Sequence, residues 1–266
     1  MHQLIVKQRI QSLDILKGGV MIIMALDHVR HLSHIDYIRG EDPLNFATTT
    51  PFLFFTRWIT NYCAPVFIFL SGSSVFFMSR TKSKKELGRF LLTRGLWLIF
   101  LELTVLHFGW ESEFYYYRLN LQVIWVIGLS MIFLSALIFL PSRVQLIAGL
   151  LLVFGHNLLD RFTITGSSAM DIIWSLLHVR HVFAIDKLHS VSVSYPLIPW
   201  VGVMLLGFRF GTFYKKDFPQ GKRKSILLKM GIACVLLFCV LRTGNFYGDS
   251  FHWEKQNSAI FTILSF

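Results

Sequence analysis

The residues best suited to chemistry gather where one apolar run ends. Asp27 and His28 close the run inside the stretch from Arg9 to His34 (RIQSLDILKGGVMIIMALDHVRHLSH), with His31 and His34 just beyond. An imidazole titrates near neutrality and can accept a proton as a general base. A nearby carboxylate can orient it and stabilise its cation, although adjacent residues on a helix do not face each other. His28, His31 and His34 recur at i, i+3 and i+6, roughly along one helix face. Imidazoles in that pattern suit zinc or copper, but the next carboxylates (Asp36, Glu41, Asp42) fall in a loop, and no metal ligand set is assigned. Haem ligation by His28 with His107 or His156 stays open, because it needs histidines on facing helices. Glu102, in WLIFLELTVLHFGW, is a second candidate, with His107 five residues on. A carboxylate at membrane depth is unfavourable unless paired or protonated, so Glu102 is either a structural partner for a neighbouring cation or part of a site. His156 and Asn157 are weaker candidates of the same kind. There is no glycine-rich phosphate loop, G-x-S-x-G elbow or Cys/His nucleophile pattern. Cys63, Cys234 and Cys239 lack metal-ligand spacing.

The elements that must carry these residues are membrane helices. The 266-residue chain is 54% hydrophobic and 15% charged, with mean hydropathy +0.55. Soluble domains run nearer about a quarter charged. Long continuous apolar runs exclude the alternating ten-residue segments of a membrane barrel. The predicted fold is therefore an all-α polytopic helix bundle, one integral-membrane domain over residues 1–266. Runs of about 20 apolar residues place spans near 15–32, 57–78, 91–109, 120–140, 143–159, 196–212 and 226–242. A further run from Ser258 is cut short at Phe266, giving about seven or eight spans, and the expectation is that the chain stops inside one. No small-residue cleavage site follows the first run, so no signal peptide is expected.

Net charge is +11, yet the distribution points to orientation rather than to nucleic acid. Lysines and arginines concentrate at Lys7–Lys17, Arg80–Arg94 and Arg209–Lys229, whereas most acidic residues fall on the opposite side. The positive-inside rule then puts the N-terminus in the cytoplasm of a multi-pass plasma-membrane protein. The basic loops need only be orientation signals and contacts to anionic lipid. Two outer segments exceed simple connections: 33–56 and about 160–195. The second contains MDIIWSLLHVRHVFAID, whose helical periodicity predicts an amphipathic interfacial helix carrying His178 and His181.

Four stretches resemble the transmembrane acyltransferase superfamily, closest to the bacterial heparan-α-glucosaminide N-acetyltransferase-like membrane proteins. The family's first-span pattern R-x-x-x-[LVI]-D-x-x-[RK]-G, with His or Asn fourteen residues after the Asp, is met by Arg9, Leu13, Asp14, Lys17, Gly18 and His28. PVFIFLSGSSVFF (65–77), RFLLTRGLWLIFLE (89–102) and YPLIPWVGVMLLGFRFG (195–211) are similar to its second and third spans and to its P-W-x-G-x-x-L-x-G helix. Members carry further spans, which agrees with a chain truncated at its C-terminal end. The resemblance implies transfer of an acyl group, acetyl above all, from cytoplasmic acyl-CoA to a hydroxyl or amine of an extracytoplasmic sugar-like acceptor, with no bound cofactor. It implies His28 as base with Asp27 or Glu102 orienting it. Arg9, Lys17, Arg89 and Arg94 would meet the CoA phosphates, since arginine binds phosphate bidentately. Arg57 and His31 would meet the acceptor. Asp14 would pair Arg9 or Lys17, and Gly72 with Ser74 would allow close helix packing. Partners are then the lipid bilayer, acyl-CoA and the acceptor, with homodimerisation open. The alternative is a non-catalytic transporter or lipid-binding protein, which intramembrane charge also suits. Against it stand the lack of repeated halves and of paired Gly/Pro-broken helices.

Overall fold

A computed structural model describes residues 10–33, 49–113, 115–162, 166, 168–245, 247–248 and 262. Its helices lie where apolar runs and start signals place them. They are α1 (Gln11–Ser33), α2 (Pro51–Thr60), α3 (Cys63–Met78), α4 (Lys84–Leu101), α5 (His107–Glu111), α6 (Val123–Leu137), α7 (Ser142–Phe154), α8 (Ala169–Leu177), α9 (Leu197–Phe210) and α10 (Gln220–Gly244). Thr50 caps α2 by accepting the Leu53 amide at 3.3 Å, with Pro51 in the first turn where its missing N–H is harmless. Ser83 and Glu86 form a capping box on α4, and Ser168 and Asp171 form one on α8.

Among the described residues four stretches are long and apolar enough to cross a membrane: Pro51–Met78, Lys84–Glu111, Leu197–Tyr214 and Gln220–Gly244. α6 and α7 are apolar but shorter. The chain is thus a mostly helical membrane protein, and among the described residues four spans satisfy the length criterion, where the sequence predicted seven or eight over the whole chain. The run from Ser258 lies almost wholly outside the described residues.

The chain divides into two compact units, residues 1–70 and 71–266. In the first, α1 packs against α2, and Leu13, Val20, Leu53 and Phe54 are buried. The Cys63 thiol reaches the Val20 carbonyl at 3.8 Å.

In the second unit helices meet backbone to backbone. A Cβ added at Gly95 of α4 would lie 2.5 Å from the Gly128 carbonyl oxygen of α6, and one at Gly128 would lie 2.8 Å from that of Gly95. A Cβ at Gly202 of α9 would lie 3.1 Å from the Gly149 carbonyl oxygen of α7. Gly72 of α3 abuts the Met204 carbonyl on α9, and the adjacent Ser73 donates to the Gly207 carbonyl at 2.9 Å. The space beside Gly72 is therefore filled by the α9 backbone. Small residues give such contacts in lipid, where packing rather than hydrophobic exclusion holds helices together.

The main departure from an all-α reading is a three-stranded sheet, β1 (Arg118–Leu121), β2 (His181–Ala184) and β3 (Ser190–Val193), in the order β1-β3-β2. β1 pairs parallel with β3 (Arg118↔Ser190), and β2 pairs antiparallel with it (His181↔Val193). Leu121, Phe183, Val191 and Val193 form its core with Trp125, Ile172 and Leu176. The predicted interfacial helix over 170–186 accordingly ends at Leu177, and His181 opens β2. Alternation decides this: Val191 and Val193 are buried between half-buried serines, a period-two pattern that a helix cannot bury. At the hairpin tip Asp186 accepts the Leu188 and His189 amides, which with the His189 ring hold its carboxyl below the usual carboxylate range.

Because the α4–α6 contact tolerates no side chain, Gly95→Val should destabilise the purified protein by about 1–3 kcal/mol. Gly109, with nothing within 4 Å of an added Cβ, supplies the control: Gly109→Ala should leave the thermal midpoint nearly unchanged.

Candidate active site

In the first unit the C-terminal end of α1 is tied to α2 through one carboxylate. Asp27 Oδ1 accepts the Thr60 hydroxyl at 2.9 Å and pairs with Arg30 one helical turn on, and Oδ2 accepts from Arg57 at 3.2 Å. Arg30 also donates to Thr56 at 2.9 Å. A four-way network of this kind satisfies each charge at the α1–α2 contact, where an unpaired one would be unfavourable. It leaves two guanidiniums side by side on a fixed scaffold. Desolvation is partial: the Arg57 side chain stays 35% exposed and that of Asp27 23%.

His28 follows Asp27 directly, so the helix turns its side chain about 100° away. It is exposed on α1, while the oxygens of Asp27 are committed to Arg30, Arg57 and Thr60. The structure thus joins Asp27 to Arg57, two predicted site residues from different helices. Lys17 and Asp14 lie two turns or more toward the start of α1, Asp14 exposed and Lys17 half-buried. The His31 backbone is in α1 and its side chain is outside the described residues, as are Arg9 and His34 altogether.

In the second unit Arg89 and Arg94 are exposed on α4, and on α3 Gly72 is buried against α9 while Ser74 is half-buried. Glu102 sits where α4 gives way to a π-helical turn, Glu102–Leu106. Its residue is only 4% exposed, and its Oε1 accepts the Gln122 amide at 2.8 Å. In an α-helix residues five apart diverge by about 140°. In a π turn they are hydrogen-bonded partners, and here the His107 amide donates to the Glu102 carbonyl. Glu102 and His107 therefore line one small recess together with Trp110, Glu111, Asn120 and Gln122. The His107 ring lies parallel to Tyr116 at 4.3 Å, and its Nε2 stands 3.4 Å from the Glu113 carboxylate.

A further imidazole is buried near the end of α8. His178 Nε2 lies 2.8 Å from Asp160 Oδ1, with the His156 ring 5.9 Å away edge-on and Trp174 at 5.1 Å. The His156 Nδ1 is used by the Val153 carbonyl at 2.8 Å. Among the described residues no group of three His, Cys, Asp or Glu side chains is placed to hold a metal.

Sequence reasoning passed over Arg30, Thr56 and Thr60, because a lone arginine and two threonines carry no motif. The signal was present nonetheless: Asp27 and Arg30 are i, i+3 neighbours, and Thr56 and Thr60 are i, i+4 on α2 with Arg57. His107 was visible as a residue, but its company with Glu102 needed the π turn.

The profile of the heparan-alpha-glucosaminide N-acetyltransferase catalytic family matches residues 9–243, which takes in every described helix up to the last turn of α10. No curated protein and no solved structure matches the chain.

The network around Asp27 makes a stability prediction. Asp27→Asn and Arg57→Gln should each lower the melting temperature of the purified protein. Their double-mutant cycle should return a coupling of about 0.5–3 kcal/mol, the range for residues in one hydrogen-bonded network. Additive effects would mean that the pair is not coupled.

Proposed function

The chain belongs to the heparan-alpha-glucosaminide N-acetyltransferase catalytic family, and from that premise we propose that it transfers an acetyl group from cytoplasmic acyl-CoA to an acceptor on the opposite face of the membrane. The observation that carries this reading is the family match over residues 9–243, which includes the first-span residues Asp14, Lys17 and His28. The family makes the protein a membrane acetyltransferase; the donor, the acceptor and the base are our assignments.

CoA brings several negative charges, and Arg89 and Arg94 stand exposed on the basic end of α4. These two are assigned to its phosphates, which arginine binds by paired N–H groups. The acceptor's hydroxyl or amine then attacks the thioester carbonyl. His28 takes the proton from the attacking atom, the acyl–sulfur bond breaks as the acyl–acceptor bond forms, and the proton passes to the departing CoA sulfur. An imidazole near pH 7 serves both halves of that exchange. Asp27 acts through its partners in this scheme: it holds Arg57 and Arg30 where positive charge can meet the oxyanion of the tetrahedral intermediate or the acceptor itself. His31, one turn beyond His28, is assigned to the acceptor side, and Glu102 to a supporting recess in the second unit. The positive-inside pattern supports a cytoplasmic N-terminus, with the donor reached from the cytoplasm.

Two substitutions test the assignment in membranes containing equal amounts of protein. His28→Ala should lower acetyl-CoA-dependent acetyl transfer by about 10²–10⁴, the span of a general base. Full activity in that variant removes His28 from the mechanism. Arg94→Ala should weaken acetyl-CoA binding by about tenfold or more, as expected for loss of one charge-assisted contact, while an unchanged affinity takes Arg94 out of the donor site.

A further inference from the structure

The second unit gathers its cations at one end, and one of them stands apart from the rest. Antiparallel packing sets the start of α4 beside the end of α6, where a Cβ added at Gly88 would lie 3.3 Å from the Ser135 carbonyl oxygen. The start of α7 likewise meets the end of α9 through Gln145 and Arg209, and α3 joins them through Phe76 against Gly211. The segments 79–89, 138–145 and 209–224 at this end hold twelve lysines and arginines against two acids, Glu86 and Asp217. Glu86 is spent on the capping box with Ser83. Among the described residues none of the twelve cations forms an ion pair. Under the positive-inside rule this end faces the cytoplasm.

Ten of the twelve are exposed and keep their hydration. Arg223 is half-buried and lies over the Tyr214 ring at 4.8 Å. Arg209 is different. It is half-buried within Leu197–Tyr214, a stretch able to cross a membrane, and its guanidinium makes a single long hydrogen bond among the described residues, to Gln145 Oε1 at 3.4 Å. Gln145 accounts for that geometry. It is only 3% exposed, and its NH2 group donates to the Leu137 and Leu140 carbonyls at 3.0 and 3.1 Å, acceptors left over where α6 ends. Its oxygen is thereby turned to Arg209, which it holds between α7 and α9 without bringing any negative charge. Most of the guanidinium N–H donors remain unspent. A cation at membrane depth with no anion beside it is unfavourable, and such a residue marks a binding site by default.

The surroundings say which anion fits. Phe210 packs against Tyr214 at 5.8 Å and Phe213 against Phe218 at 5.6 Å, so rings ring the tip of α9 as they do at a membrane–water interface. That sets Arg209 at the depth of lipid headgroups. Next to Gln145 on α7, Leu146, Ile147 and Leu150 are 45%, 57% and 41% exposed, an apolar strip on which an acyl chain can lie. A basic position between membrane helices on the cytoplasmic side, flanked by such a strip, suits an acidic headgroup. We propose that Arg209 seats the phosphate of an anionic phospholipid at the junction of α7 and α9, with the exposed lysines of this end drawing acidic headgroups toward it. The inference stands apart from the acyl-transfer reading, since it uses none of the residues assigned to the reaction.

The test titrates the full chain in detergent with phosphatidylglycerol or phosphatidylcholine and reads bound lipid by native mass spectrometry. The wild type should retain phosphatidylglycerol in preference to phosphatidylcholine. Arg209→Gln should weaken that retention about tenfold, as expected for one lost charge-assisted contact. Arg209→Lys keeps the charge without the paired N–H geometry and should recover only part of it, while Lys224→Gln, an exposed cation, should leave it nearly unchanged. Equal retention by wild type and Arg209→Gln overturns the inference, and so does an equal loss in Lys224→Gln, which would mean diffuse attraction only. Acetyl-CoA binding in phosphatidylcholine nanodiscs separates the other source of phosphate: an Arg209→Gln protein that loses acetyl-CoA but keeps phosphatidylglycerol assigns Arg209 to the donor and overturns the lipid site. Should Arg209→Gln fail to fold, Arg209→Lys and Lys224→Gln decide: retention weakened by the first alone upholds the site, and any other pattern overturns it.

Discussion

A charge that leaves bulk water must find its counterpart inside the protein, and this constraint shapes both polar regions of the chain. At the α1–α2 contact the solution is a shared carboxylate. Asp27 serves Arg30, Arg57 and Thr60 together, so two cations from two helices are held by one anion. The benefit is geometric as much as energetic, since partly buried ion pairs are weak evidence for stability. What the arrangement supplies is a fixed pair of guanidiniums at the end of the first helix. Remove the carboxylate and their mutual repulsion has nothing to oppose it.

At the π turn the solution is different. Glu102 is shielded by backbone, through the amide of Gln122, and the extra residue in the turn swings His107 onto the same side. One inserted residue thereby converts two groups that would diverge on an α-helix into neighbours. The small sheet supports this end of the unit from the other direction: Leu103 of the turn packs against the cluster built on Leu121, Phe183, Val191 and Val193. The sheet is thus more than decoration on a helical bundle. It braces the segment from Glu102 to Gln122 that frames the recess.

Much of the helical framework was legible in the sequence, because a membrane helix announces itself by length and apolarity within a single segment. The capping boxes at Ser83 and Ser168 are equally local. The sheet was not legible for the opposite reason: β1 and β3 lie about seventy residues apart, and strands of four residues carry little pattern of their own. The helical periodicity of MDIIWSLLHV was real, but it ran past the point where Phe183 found a better burial in the sheet core. The candidate site divides along the same line. His28 and Asp27 were visible as residue types at a helix end, yet which partner Asp27 would take depends on α2, and the company of His107 with Glu102 depends on a turn that no residue in ELTVL signals.

The family match makes the protein a membrane acetyltransferase, and the proposal built on it is that acetyl groups cross from a cytoplasmic donor to an acceptor on the far side. Sealed inside-out vesicles carrying the protein test it most directly. With labelled acetyl-CoA supplied only at the outward-facing cytoplasmic surface and glucosamine enclosed within, acetylated sugar should accumulate in the lumen, and intact CoA should stay outside. Movement of unmodified glucosamine without acetyl-CoA, and no acetylated product when the donor is present, would contradict the claim and identify the protein as a carrier instead.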